Sequence, residues 1–181
     1  LQAGIIADAL EALPESVDRN GNGTVEFAML EGESNHQDTL IRSEWVLKGL
    51  DKRGVPIRKV VGATANWERG QAKALVKQWM QEYPGEIELI ICNNDDMAIG
   101  SVEALDEVGE EAVAVVGIDG VDEVQKLVEE GKVLGTVLCD TKLHAKALME
   151  FIAAFAIEGT REDGVELLDG RYYMIPLRVV G

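Results

Sequence analysis

The chain is short of the residues that would commit it to metal, thiol or nucleic-acid chemistry. It has two histidines and two cysteines in 181 residues, too few for a histidine cluster on zinc or for a disulfide framework. Basic residues are scarce: 17 Lys and Arg stand against 33 Asp and Glu, for a net charge of −16 and a pI near 4.4. No Lys/Arg cluster breaks that acidity, so phosphate backbones and anionic membrane surfaces are both repelled, and no nucleic-acid partner is expected. No apolar run approaches the ~20 residues of a membrane span. Leu1-Gln2-Ala3-Gly4 shows no charged region followed by an apolar stretch, so no signal peptide is legible. There is no nucleophile–base pair and no G-x-x-x-x-G-K-[ST] loop. Gly21-x-Gly23 meets Glu26 where a dinucleotide fingerprint needs its third glycine. An enzyme is therefore not expected. The length suffices for one full core, or one domain with an appendage.

What is present begins with Asp18-Arg19-Asn20-Gly21-Asn22-Gly23-Thr24-Val25-Glu26. Oxygen-bearing side chains fall on alternate residues with glycines between, as at the start of an EF-hand calcium loop. The bidentate glutamate due at the twelfth position is replaced by Met29, so a carboxylate from elsewhere must complete any cation site. Asn-Gly and Gly-Asn also form turns with no metal, and both readings stand at this point.

Apolar runs alternate with helical spacing along the rest. Val25–Leu30, Lys59–Ala63, Glu88–Cys92, Ala112–Gly117 and Leu134–Leu138 read as strands. Ile5–Leu13, His36–Leu50, Trp67–Tyr83, Asp95–Val108, Val121–Glu130 and Thr141–Glu158 read as helices. This alternation predicts an α/β, doubly wound parallel sheet with helices on both faces. A last strand, Tyr172–Val180, carries Pro176 and suits an edge. Trp45 and Trp79 sit at helical spacing from Ile41, Leu75 and Val76, which predicts that both are core, whereas Trp67 opens its helix outside such a stripe. Cys92 and Cys139 end strands with another between them. Two steps of ~4.8 Å exceed the ~7 Å Cα limit for a disulfide, so the pair is not expected to bridge, and Cys139 is expected in the cleft.

Ligands of such sheets bind beyond the carboxyl ends of the strands. Polar residues gather there: Glu33 to Asp38 with Arg42, Asn66-Trp67, Asn93 to Asp96, Asp119-Gly120 and Cys139-Asp140. Asn66, Asn94 and Asp119 also sit where helix N-caps belong. An aromatic face beside carboxylates, amides and a guanidinium suits a sugar, whose C–H face stacks while its hydroxyls are hydrogen-bonded.

With these motifs the chain resembles the galactose/glucose-binding periplasmic proteins, type I solute-binding proteins of ABC importers. The resemblance runs over essentially the whole chain. It rests on the Asp18–Glu26 loop and on Leu30-x-Gly32-Glu33-x-x-His36-x-Asp38-x-x-x-Arg42. It continues through Trp67 with Gln71-Ala72-Lys73, Asn93-Asn94-Asp95-x-Met97-Ala98-x-Gly100, Gly117-Ile118-Asp119 and Gly135-Thr136-Val137-Leu138. It implies a structural Ca2+ held by Asp18, Asn20, Asn22, the Thr24 carbonyl, Glu26 and Glu88. It implies a hexose, such as galactose or glucose, stacked on Trp67 and bonded by His36, Asp38, Arg42, Asn94 and Asp119. Cys139 stands where the family places an asparagine, and a thiol is the poorer partner.

The resemblance also implies a two-lobed parent, of which residues 1–138 and the returning strand at 170–181 are the C-terminal lobe. Residues 139–169 would cross a hinge and add a helix to an N-terminal lobe absent from this chain. That helix carries Leu143, Leu148, Met149, Phe151, Ile152, Phe155 and Ile157. With no partner lobe it is expected to self-associate or fold back. The implied setting is extracytoplasmic, in a periplasm or as a cell-surface lipoprotein of a Gram-positive organism, with an ABC permease and in some systems a chemoreceptor as partners. Effector domains of sugar-responsive repressors share the Asn-Asp-x-Met-Ala and Gly-x-Asp motifs, and a sugar-sensing receptor module is a further alternative. The calcium loop and the His-x-Asp-x-x-x-Arg cluster favour the binding protein.

Overall fold

The computed structural model describes residues 1–157 and 175–181. Among these the chain divides into two compact units, Leu1–Leu138 with Val179–Gly181, and Cys139–Arg178.

The strands are β1 (Val25–Glu31), β2 (Ile57–Thr64), β3 (Leu89–Cys92), β4 (Ala114–Asp119), β5 (Gly135–Leu138) and β6 (Arg178–Val180). The helices of the first unit are α1 (Gln2–Ala12), α2 (Gln37–Lys52), α3 (Arg69–Glu82), α4 (Asp95–Val108) and α5 (Asp122–Glu129). The sheet runs in the order β2-β1-β3-β4-β5-β6, and β1 through β5 pair in parallel. The sequence-predicted doubly wound class is the one observed, with β6 at the edge that Pro176 implied. Strand residues point alternately to two cores. Phe27, Met29, Leu89 and Ile91 face α1 and α2, whereas Ala28, Leu30, Ile90 and Cys92 face α3, α4 and α5. Central strands of a sheet covered on both sides are buried on both faces, which is why β3 reads as the unbroken run Leu-Ile-Ile-Cys, whereas edge strand β2 keeps exposed residues.

Two expectations are overturned locally. Trp45 is 62 % exposed and Ile41 44 %, while Trp79 is 3 % exposed. The stripe of α2 that meets the sheet is Thr39, Val46 and Leu50. At about 100° per residue, Ile41 and Trp45 lie roughly on the opposite face. Spacing alone gives the period but not the phase. Nor do Asn66 and Asp119 cap helices: the caps of α3 and α5 are Glu68 and Val121. A cap needs extended backbone, but φ is 52° at Asn66 and 130° at Asp119. Trp67, at φ 67°, therefore lies in the turn before α3 rather than at its start.

In the second unit, Asp140 precedes α6 (Thr141–Ile157) and its Oδ1 accepts the N–H groups of Lys142 at 3.0 Å and Leu143 at 3.1 Å. Its Oδ2 takes Arg178 at 2.8 Å. The Leu143 N–H is the main cause holding this carboxyl below its ordinary value. Leu148, Met149 and Ile152 are 60 %, 63 % and 50 % exposed. Residues 170–174 of the expected returning strand and the segment 158–169 lie outside the described residues.

Candidate functional site

The strand order reverses between β1 and β3, and their carboxyl ends open the crevice where such sheets take ligands. Six of the seven sequence-predicted contact residues converge there. His36 follows β1 and caps α2, its Nδ1 accepting the Asp38 N–H at 3.1 Å. One turn further along α2 stands Arg42, the centre of the cluster. Its Nη1 donates to the Asn93 carbonyl at 2.7 Å and to Asp119 Oδ1 at 3.3 Å. Its Nη2 lies 3.5 Å from Asp38 Oδ2, and its guanidinium carbon is 5.6 Å from the centre of the Trp67 ring. His36 meets the same ring edge-on, with centroids 5.3 Å apart and planes at 78°. Asn94 caps α4 by accepting the Met97 N–H at 3.0 Å, and its amide donates to the Trp67 carbonyl at 3.2 Å. Cys139 belongs to the second unit, follows β5 directly and is half-buried.

Trp67 is half-buried in backbone that non-glycine residues rarely adopt, and such strain marks functional sites. Gly32 makes room for it, because a Cβ at 32 would overlap the indole. Asp119 is pushed up to about 6, mainly by burial and further by Asp95 and Asp96, with Arg42 pulling the other way. A carboxylate, a guanidinium, amides and a ring thus share one crevice, already linked to one another.

One residue that builds this site has no role legible in the sequence. Asn93 is fully buried, and its Oδ1 accepts from the Gly32 N–H and the Ser43 hydroxyl, each at 3.2 Å. Its carbonyl seats Arg42, so it fixes β1, α2 and the crevice together. Two successive asparagines ending an apolar strand were the only available sign of this.

The second cluster forms at the opposite ends of β1 and β3. Glu88, 1 % exposed, accepts the Asn20 N–H at 2.9 Å and the Glu26 N–H at 3.2 Å. Glu26, 4 % exposed, accepts the side-chain amides of Asn20 at 2.9 Å and Asn22 at 3.3 Å, and Arg58 at 3.4 Å. Asp18 takes the N–H groups of Asn22 at 3.2 Å and Gly23 at 2.9 Å. Asn22 Oδ1 accepts the Thr24 N–H at 2.8 Å, closing the loop that Gly21 and Gly23 turn with φ of 68° and 81°. Burial and the neighbouring Glu26 push Glu88 up. Burial also acts on Glu26, but its bonds with Glu88, Asn20, Asn22 and Arg58 prevail and hold it below its ordinary value.

The six residues expected to hold Ca2+ are thus assembled from segments far apart in sequence, and all offer the hard oxygens that this ion takes. The two buried carboxylates are neighbours, and Arg58 is the basic side chain that reaches them, through Glu26. Among the described residues no three acidic, histidine or cysteine side chains yet meet at one point. The amides of Asn20 and Asn22 would have to turn their oxygens inward.

A periplasmic binding protein domain model matches residues 5–160. The D-galactose/methyl-galactoside binding periplasmic protein of Haemophilus influenzae is 32 % identical over 151 residues, 83 % of this chain and 45 % of that protein. The xylitol-binding protein of Mycolicibacterium smegmatis is 27 % identical over 97 % of this chain and 48 % of its own. Among solved structures, an ABC transporter periplasmic solute-binding protein from Actinobacillus succinogenes with bound D-allose superposes with a TM-score of 0.79. It is 25 % identical, over 99 % of this chain and 58 % of that one. A solute-binding protein from Bacillus halodurans with bound myo-inositol gives 0.77 at 26 % identity, over 98 % and 56 %. The chain spans about half the length of the curated relatives it matches.

Proposed function

The chain belongs to the periplasmic binding protein domain family, whose relatives are solute-binding proteins rather than enzymes, and from that premise we propose that it is the monosaccharide-gripping C-terminal lobe of an extracytoplasmic binding protein serving an ABC importer. The observation that carries the proposal is the Arg42 hub, in which Asp38, Asp119, Asn93 and Trp67 gather around one guanidinium. In this reading the pyranose stacks on Trp67, and His36, Asp38, Arg42, Asn94 and Asp119 bond its hydroxyls and ring oxygen. The ligand is a hexose of the galactose or glucose type. D-galactose, D-allose, xylitol and myo-inositol, named for the relatives, define the panel to be tried.

The parent closes a second lobe over the sugar, and that lobe covers Leu148, Met149 and Ile152 of α6. A permease, and in chemotactic systems a chemoreceptor, would read the closed form. Ca2+ would be held by Asp18, Asn20, Asn22, the Thr24 carbonyl, Glu26 and Glu88, where it neutralises the buried carboxylates and ties the loop to β1 and β3. Saturation-transfer NMR against the panel tests the assignment. Transfer to at least one monosaccharide, lost in Trp67→Ala, supports it; transfer to none refutes it.

A further inference from the structure

Asp95 is fully buried, and the hydrogen bonds of its carboxylate go to groups other than the side chains assigned to the ligand. Standing at the start of α4, it reaches across to the turn after β4. Its Oδ2 accepts the N–H groups of Gly120 at 2.7 Å and Val121 at 2.9 Å. Its Oδ1 accepts the hydroxyl of Thr136, from β5, at 2.8 Å, and that hydroxyl oxygen takes the Gly120 N–H at 3.2 Å. Gly117 leaves the space, since a Cβ there would overlap the Asp95 carboxylate. No basic side chain is among these partners; burial pushes this carboxyl above its ordinary value, and the Thr136 hydroxyl with the Val121 and Gly120 N–H groups opposes that by bonding its charged form.

What the carboxylate holds is the corner containing Asp119, whose φ of 130° is strained for a residue with a Cβ. Such a conformation persists only where its surroundings over-determine it. The charged groups facing Asp119 are Arg42 from α2 and Asp95 and Asp96 from α4. We propose that Asp95 is a positioning residue for ligand recognition, clamping the Gly120 and Val121 peptides so that Asp119 can accept only one pattern of sugar hydroxyls. This rests on the reading of the crevice as a monosaccharide site, but the clamp has a signature that needs no sugar.

The test compares the full chain with Asp95→Asn, Asp95→Ala and Thr136→Val. Amide exchange at Gly120 and Val121 is expected to quicken on the order of tenfold in Asp95→Ala and less in the other two, each having lost part of the clamp. Carboxyl 13C titration is expected to show the Asp119 midpoint lower in Asp95→Asn than in the wild type and unmoved in Thr136→Val, which keeps the charge. Affinity for D-galactose should drop about tenfold in Asp95→Asn, and the ratio of D-galactose to D-glucose affinity should move toward one. A general loss of folding would scale both sugars alike. Unchanged exchange and an unchanged Asp119 midpoint in Asp95→Asn overturn the clamp. If the wild type binds no sugar of the panel, the crevice assignment fails instead, and exchange and midpoint still decide the clamp.

Discussion

Replacing Asp119 by asparagine should make the protein more stable while removing ligand binding. The carboxyl is raised from 3.8 to about 6, and each pKa unit is ~1.4 kcal/mol of differential interaction. The shift corresponds to about 3 kcal/mol, which screening reduces to about 1–2 kcal/mol because the side chain is 35 % exposed. A value raised in the folded state means that the native protein holds this proton more tightly than the unfolded chain. Its charge therefore opposes folding above pH 6, and the penalty fades as the pH falls toward 4. Urea unfolding of wild type and Asp119→Asn at pH 7.5 and pH 4 measures it directly. The variant should gain about 1–2 kcal/mol at the higher pH and almost nothing at the lower. A variant less stable at pH 7.5, or a difference indifferent to pH, would refute the electrostatic account of the crevice.

Gly32→Val should push the Trp67 indole off its seat, reducing sugar affinity at least tenfold while leaving far-ultraviolet circular dichroism unchanged. Calcium at a hundredfold excess over its dissociation constant should stabilise the chain by ~2.7 kcal/mol, or about 5–10 °C in a melt against chelator. Glu88→Ala should abolish that difference. If calcium has no effect on the wild type, the loop is a bare turn and the repressor-effector reading moves ahead. Gel filtration should show concentration-dependent self-association that Met149→Glu with Ile152→Lys relieves, because these exposed side chains lie one helical turn apart on α6.

The sheet was legible because its strands are short apolar runs separated by helical spacing, a pattern that parallel pairing under two helical layers imposes. The crevice was partly legible, since polar residues at successive strand ends can meet only at one edge. Its hub was less so: Arg42 and Asp119 are 77 residues apart, and only the strand order β1-β3-β4 brings them together. The link from Glu88 to the loop spans 68 residues and follows from the same topology. Trp45 misled because an amphipathic period does not say which face is inward. Asn66 and Asp119 misled because asparagine and aspartate serve both as caps and in left-handed backbone, and sequence does not distinguish the two. Asp95 and Asn93 carry no legible role because most of their partners are backbone N–H groups, of Gly32, Gly120 and Val121, and their side-chain partners Ser43 and Thr136 lie on distant elements.

On the proposed reading, the crevice around Trp67 and Arg42 receives a monosaccharide. The most direct measurement is a D-galactose titration followed on the Trp67 indole N–H and the Arg42 guanidinium by 1H–15N NMR. Millimolar affinity is expected of one lobe, about 4 kcal/mol of binding. Saturable shifts of both signals, with Trp45 and Trp79 still, are the predicted result. Shifts absent up to about 100 mM for D-galactose and for the rest of the panel, a limit set by affinities too weak for recognition, would contradict it.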